Sequence, residues 1–194
     1  FLLTGVKKNE FTNATTTGLI SSVTRDWDYE LIDSLGFNRE LFKTPYQPGE
    51  IVGDLKEEIS KIVGFTSKVC LPATHDTASA VMSIPSVGMP LYISSGTWSL
   101  MGIETTKAVT DDLTRISGFS NEGGYNKSIT LLKNIMGLWM IQCIKKEYND
   151  KYSFVDFVDL AREVKDFKSI VDVNDLSFFA PESMINAVKE YCAK

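Results

Sequence analysis

Apolar side chains along this chain recur with two different periods, and the places where the period changes mark its elements. Residues 13–23 are rich in Thr, Ile and Val, the composition of extended chain. Asp26-Trp27-Asp28 then opens a stretch in which Trp27, Leu31, Ile32 and Leu35 fall at helical spacing and stop at Gly36, so a short capped helix is expected there. Pro45, Pro48, Gly49 and Gly53 punctuate residues 36–53 as a surface connection. Residues 55–63 read as a further short helix ending at Gly64.

Farther on, Val69-Cys70-Leu71-Pro72-Ala73 leads into Thr74-His75-Asp76-Thr77, and residues 78–82 are small and apolar enough for a buried helix: a strand, a polar turn, a helix. Residues 89–103 form two β-rich runs around Ser94-Ser95-Gly96-Thr97, the signature of a hairpin. After Gly123-Gly124 three helical patterns follow. They run through Leu138, Ile141, Ile144 and Tyr148, then Phe154, Phe157, Val158, Ala161 and Val164, then Met184, Val188 and Tyr191 behind Pro181. Asn134 and Gln142 are the polar members of the apolar stretch 131–144. On one helix they would share a broad face on the order of 12 Å apart, suited to the two ends of a donor and acceptor pair.

Composition narrows the classes. Of 194 residues, 43% are hydrophobic and 23% charged, as in an ordinary globular domain. Twenty Lys plus Arg against 25 Asp plus Glu leave a net charge of −5 with no basic run, so the footprint of a nucleic-acid partner is missing. Three cysteines without metal-type spacing fit a reducing cytoplasm. No apolar run approaches the roughly 20 residues that span a bilayer. No internal repeat is visible. The chain begins Phe1-Leu2-Leu3-Thr4-Gly5, without a basic leader, and is expected to start inside a longer protein.

The chemistry concentrates in two turns. Asp76, beside the chain's one histidine, is either a cap for the following helix or a carboxylate placed to take a proton, and the two roles can coexist. Ser94-Ser95-Gly96-Thr97 is either an ordinary tight hairpin or a nest whose hydroxyls and backbone N–H groups meet an anion. It lacks the lysine and spacing of a Walker loop. A triad of Ser95, His75 and a carboxylate is disfavoured, because no G-x-S-x-G elbow is present. A transition-metal site is disfavoured by one histidine and scattered carboxylates, and Asp111-Asp112 reads as a solvated turn.

Taken together, residues 71–80, 92–102, Asn121-Glu122-Gly123-Gly124 and Lys133-Asn134-Ile135-Met136-Gly137-Leu138-Trp139 resemble the FGGY family of carbohydrate kinases, as does the turn at residues 46–53. The last two of the four segments resemble the branch acting on L-rhamnulose more than the L-fuculose branch. The resemblance implies an α/β, actin-like (ribonuclease H-like) fold of two domains. Residues 1–84 would close the first domain and residues 85–194 would open the second. It implies ATP and Mg2+ as cofactors, with the magnesium ligands outside this chain, and a small-molecule sugar as partner. By position it makes Asp76 the proton acceptor, His75, Thr77 and Asn134 its companions at the sugar, and Thr97 and Gln142 contacts to ATP. A non-catalytic sugar-binding module of the same fold is the alternative. Such kinases are more than twice as long, so the chain alone is expected to lack part of the nucleotide site and to leave apolar surface uncovered at residues 69–73 and 78–82.

Overall fold

A computed structural model of the chain describes residues 1–85, 88–165 and 169–194. They divide into two compact units. One holds residues 1–94 and 102–133, the other residues 95–101 and 134–194.

In the first unit, strand β1 (Asn9–Glu10) pairs in parallel with β2 (Pro45–Tyr46) and leads directly into helix α1 (Phe11–Thr15). This corrects the expectation of extended chain after residue 13. The carboxylate of Glu10 accepts the N–H groups of Thr12 and Asn13 and so caps a helix that threonine content alone would disfavour. The hydroxyls of Thr15, Thr16 and Thr17 then donate to carbonyls three residues back, and Gly18, at φ +73°, ends the run. Phe11, Thr12 and Ala14 are buried.

Helix α2 (Tyr29–Ser34) begins where the sequence indicated, with Asp28 Oδ1 accepting the Leu31 N–H at 3.0 Å, and closes at Gly36. Its Ile32 joins Ala14 and Trp27 in a small core against which Leu19, Ile20 and Phe42 pack. Trp27 meets Phe42 edge to face at 5.0 Å, and its indole N–H donates to the Lys43 carbonyl. Strands β3 (Ile51–Asp54) and β4 (Lys68–Cys70) are antiparallel and flank α3 (Glu57–Val63), which Gly64 stops in the left-handed region. Helix α4 (Asp76–Met82) follows, with Thr77, Ala78 and Val81 buried. Ala73 is buried as well, whereas Cys70, Pro72, Ala80 and Met82 are exposed, so the uncovered apolar surface expected at 69–73 and 78–82 is present in part.

The larger sheet has the order β5-β6-β8-β7. Its strands are β5 (Tyr92–Ser95), β6 (Trp98–Thr105), β7 (Phe119–Gly123) and β8 (Ile129–Met136), with the short helix α5 (Asp112–Ile116) before β7. β7 and β8 are antiparallel, with Glu122 opposite Thr130 and Gly123 opposite Ile129. Helix α1 lies on the end of β7: a Cβ on Gly123 would come within 2.5 Å of the Phe11 ring, and the Gly123 N–H donates to Thr15 Oγ1 at 2.9 Å. Glycine is required there for the helix to approach so closely.

The second unit is mostly helical: α6 (Trp139–Glu147), α7 (Phe154–Glu163) and α8 (Met184–Cys192). Met136, Met140, Phe178 and Met184 form its core. The Glu147 carboxylate accepts the Ser183 hydroxyl and the Met184 N–H, so the end of α6 caps the start of α8. A capping box between Ser153 and Asp156 starts α7, none of whose residues is buried. Asn134 lies on β8 and Gln142 on α6, so the expectation of one helix carrying both is wrong. β8 alternates about Leu132 and Met136 as a strand does, and Gly137 separates it from the helix. A Cβ on Gly137 would lie 2.6 Å from the Gly96 carbonyl and 2.5 Å from Ser99 Oγ. No helix among the described residues is long and apolar enough to cross a membrane.

Candidate active site

Asp76 opens α4, and its Oδ1 accepts the N–H of the next residue, Thr77, at 2.7 Å. The N-cap itself is His75, which makes no side-chain cap bond, so the capping role expected of Asp76 is reduced to a bond with its neighbour. The Asp76 side chain is 96% exposed, whereas that of His75 is 22% exposed. A freely accessible carboxylate thus stands on a half-buried imidazole.

Two glutamates hold that arrangement. Glu10 receives five hydrogen bonds: the N–H and hydroxyl of Thr12, the N–H of Asn13, and the N–H and hydroxyl of Thr74, at 2.6–3.1 Å. Thr12 Oγ1 in turn accepts the His75 N–H at 3.2 Å. The backbone entering the His75-Asp76 turn is therefore tied to the cap of α1. On the other side Glu122 Oε2 lies 3.3 Å from His75 Nδ1, while Nε2 lies 3.6 Å from Asp76 Oδ1.

The glutamates respond oppositely to this setting. Burial pushes Glu10 upward, but the bonds from Thr12 and Thr74 outweigh it and hold its pKa below the usual carboxylate value. Burial also pushes Glu122 upward. His75 pulls it down and the charge of Asp76 pushes it up again, leaving it raised. Tyr92, on β5, is raised to about 12 by burial and by the charges of Glu122 and Glu104.

Both ring nitrogens of His75 face carboxylates, which is not the geometry of a histidine activating a serine nucleophile. Thr77 is buried within α4, and its recorded part in the turn is the N–H given to Asp76. In the second unit, Thr97 Oγ1 accepts a bond from Gln142 Nε2 at 3.2 Å, so these two expected residues are brought together. The Gly96 N–H donates to the Trp98 carbonyl and the Gly96 and Thr97 carbonyls accept from Leu138 and Trp139. The Gly96 N–H is thus engaged within the hairpin. The hydroxyl proton of Thr97 stays available, because Gln142 engages its oxygen as an acceptor. Asn134 is exposed on β8.

Sequence reasoning missed Glu10 and gave Glu122 no role, although it lay inside a quoted motif. No spacing rule links residue 10 to residue 74, or 122 to 75. Among the described residues no three His, Cys, Asp or Glu side chains are arranged so as to hold a metal ion. The residues present thus do not make a magnesium site by themselves, and no step below passes through the ion.

Set against known proteins, residues 1–83 match the N-terminal domain of the FGGY family of carbohydrate kinases. Over 192 residues, 99% of its length, the chain is 48% identical to the rhamnulokinase of Halalkalibacterium halodurans and likewise to that of Oceanobacillus iheyensis. It is 38% identical over 194 residues to the rhamnulokinase of Bacillus subtilis. It spans 41%, 41% and 40% of these relatives. Among solved structures, a ligand-bound xylulose kinase from Lactobacillus acidophilus superimposes with a TM-score of 0.66 at 23% identity, over 84% of this chain and 33% of that one. A gluconate kinase from the same species gives 0.66 at 23%, over 85% and 34%. The chain therefore has a mixed α/β fold shared with these xylulose and gluconate kinases, and it is similar in sequence to about two fifths of the length of the rhamnulokinases.

Proposed function

We propose that this chain carries the proton-accepting part of a sugar kinase that phosphorylates L-rhamnulose with ATP, giving L-rhamnulose 1-phosphate. The observation that carries the reading is the exposed Asp76 carboxylate, fixed at the start of a half-buried helix and backed by His75. Supporting it are the family match of residues 1–83 and the rhamnulokinase relatives along the whole chain. We place the boundary between the kinase's two domains near residue 84, whereas the compact units divide at residues 94–102 and 133–134.

In this reading a sugar hydroxyl attacks the γ-phosphorus of ATP. The new O–P bond forms as the bond to the ADP oxygen breaks, and Asp76 takes the hydroxyl proton. His75 and Asn134 contact the sugar. The backbone N–H of Thr77 orients Asp76, and Thr97 donates its hydroxyl to a phosphate oxygen, steadied by Gln142. Magnesium, held by groups beyond those described, would neutralise phosphate charge. The protein works in the cytoplasm.

The test is a chimera in which this chain replaces the matching residues of the H. halodurans rhamnulokinase, assayed with ATP and either L-rhamnulose or L-fuculose. Turnover on L-rhamnulose is expected, and Asp76→Asn should lower kcat by on the order of a hundredfold or more with the fold retained. A folded chimera without turnover, or full turnover in the Asp76→Asn form, would overturn the reading. Preference for L-fuculose would overturn the choice of sugar.

A further inference from the structure

His75 Nδ1 is buried and finds no hydrogen-bond partner among the described residues, yet a carboxylate oxygen of Glu122 sits 3.3 Å away. The Glu122 side chain is itself only 21% exposed. Such a pair is costly to leave with one charge alone, since each partner is largely withdrawn from water. The arrangement settles if the two groups share a proton. Glu122 may be written as the acid donating to Nδ1, with the other ring proton on Nε2, or as a carboxylate facing an imidazolium. Both forms contain the same number of protons, and both place N–H on Nε2, the nitrogen that faces Asp76.

We propose that Glu122 is a positioning residue for the phosphoryl-transfer site, holding one proton in common with His75 so that Nε2–H stays turned toward the Asp76 carboxylate. The kinetic part of this inference rests on the kinase reading above; the proton sharing does not. An imidazole with its lone pair on Nε2 would repel the carboxylate 3.6 Å away, whereas N–H restrains it while leaving its outer face open to a sugar hydroxyl. The fold supplies the alignment. α1 is capped by Glu10, which accepts the Thr74 N–H, its Thr12 hydroxyl accepts the His75 N–H, and its other end packs on Gly123, next to Glu122. One short helix therefore fixes the spacing between the imidazole and its acid.

Asp76 raises the pKa of Glu122, and His75 lowers it. Tyr92 on β5 stays a neutral phenol, raised by burial and by the charges of Glu122 and Glu104, and Glu104 on β6 accepts the Ser128 hydroxyl at 2.8 Å. Thr130 stands opposite Glu122 on β8.

His75 is the chain's one histidine, so ring-15N labelling of the full chain yields a single pair of imidazole nitrogen signals. With Glu side-chain carboxyls labelled with 13C, a pH titration of the unmodified chain should show His75 Nδ1 and Glu122 Cδ moving together through a common step. Glu122→Gln should remove that step from the Nδ1 curve, and Glu122→Asp should restore it. Independent curves in the unmodified chain overturn the proposal with no variant needed, as does an Nδ1 curve unchanged by Glu122→Gln. In the chimera, Glu122→Gln is expected to lower kcat by on the order of a hundredfold with the KM for ATP unchanged, to shift the pH profile of kcat, and to be partly rescued by Glu122→Asp. Unchanged kcat in Glu122→Gln, where Asp76→Asn is inactive, would overturn the positioning role and leave the kinase reading standing. An active Asp76→Asn would instead sink the kinase reading, with the titration still deciding whether the proton is shared.

Discussion

Glu10 and Glu122 flank the same two-residue turn, are both largely buried, and are driven in opposite directions. Glu10 is surrounded by N–H and O–H donors from Thr12, Asn13 and Thr74, so its charge is solvated by the protein and its pKa falls. Glu122 faces an imidazole and another carboxylate, so burial prevails and its pKa rises. The difference shows that burial by itself does not decide the state of a carboxylate; the count of donors aimed at it does. It also separates two tasks. The Glu10 side of the turn is built for rigidity, and the Glu122 side for holding a proton.

Breaking the Glu10 side should have the larger structural effect. Glu10→Ala leaves the N–H groups of buried Thr12 and of Thr74 without acceptors and removes the cap of α1. We expect a loss of about 2–4 kcal/mol in urea unfolding. A loss below about 0.5 kcal/mol would mean that water replaces the carboxylate and that the turn is not anchored by it.

Acid should reproduce part of this loss. Glu10 has a folded pKa below its unfolded one, so its contribution is complete above the unfolded value, near 4.5, and disappears as pH falls through the lowered folded value. Glu147 and Asp175, also lowered, act in the same sense in the second unit. Unfolding free energies of the chain and of Glu10→Gln, measured from pH 6 downward, should therefore converge. A gap that stays constant to acid pH would contradict the assignment.

Thr97→Val sharpens the comparison with a neutral site, since the Thr97 and Gln142 pair carries no charge to titrate. Deleting the hydroxyl should raise the KM for ATP in the chimera by roughly threefold to tenfold, the equivalent of about 1 kcal/mol, with little change for the sugar. A poorer sugar KM with unchanged ATP dependence would reverse the assignment of that turn.

The smallest effect is expected from Glu122→Gln on stability. A carboxylate whose folded pKa is raised adds stability that is complete below its unfolded pKa and is lost as pH rises through the folded one. At pH 8 the Gln variant should thus match or slightly exceed the unmodified chain, within about 1 kcal/mol. A clear destabilisation at pH 8 would show that Glu122 serves the fold and not the proton.

Local signals in the sequence were read correctly where they act over a few residues. Asp28 caps α2, Gly36 and Gly64 close helices, the turn at His75-Asp76 leads into α4, and residues 92–103 form a hairpin. Where a distant partner competes, the reading failed. Threonines after residue 13 read as extended chain until the Glu10 cap and the hydroxyl back-bonds are counted. Residues 131–144 read as one helix because apolar runs are ambiguous in period, whereas Gly137 is the break between β8 and α6.

The sequence by itself determined which residues could do chemistry, namely one histidine beside one aspartate in a turn and a hydroxyl turn in a hairpin, because those identities and neighbours are written along the chain. The tertiary structure alone decided their states. Glu10 meets donors 64 residues away, and Glu122 is folded onto a histidine 47 positions earlier. Protonation follows from water excluded and partners gathered by packing, and neither quantity has a period or a spacing in one dimension.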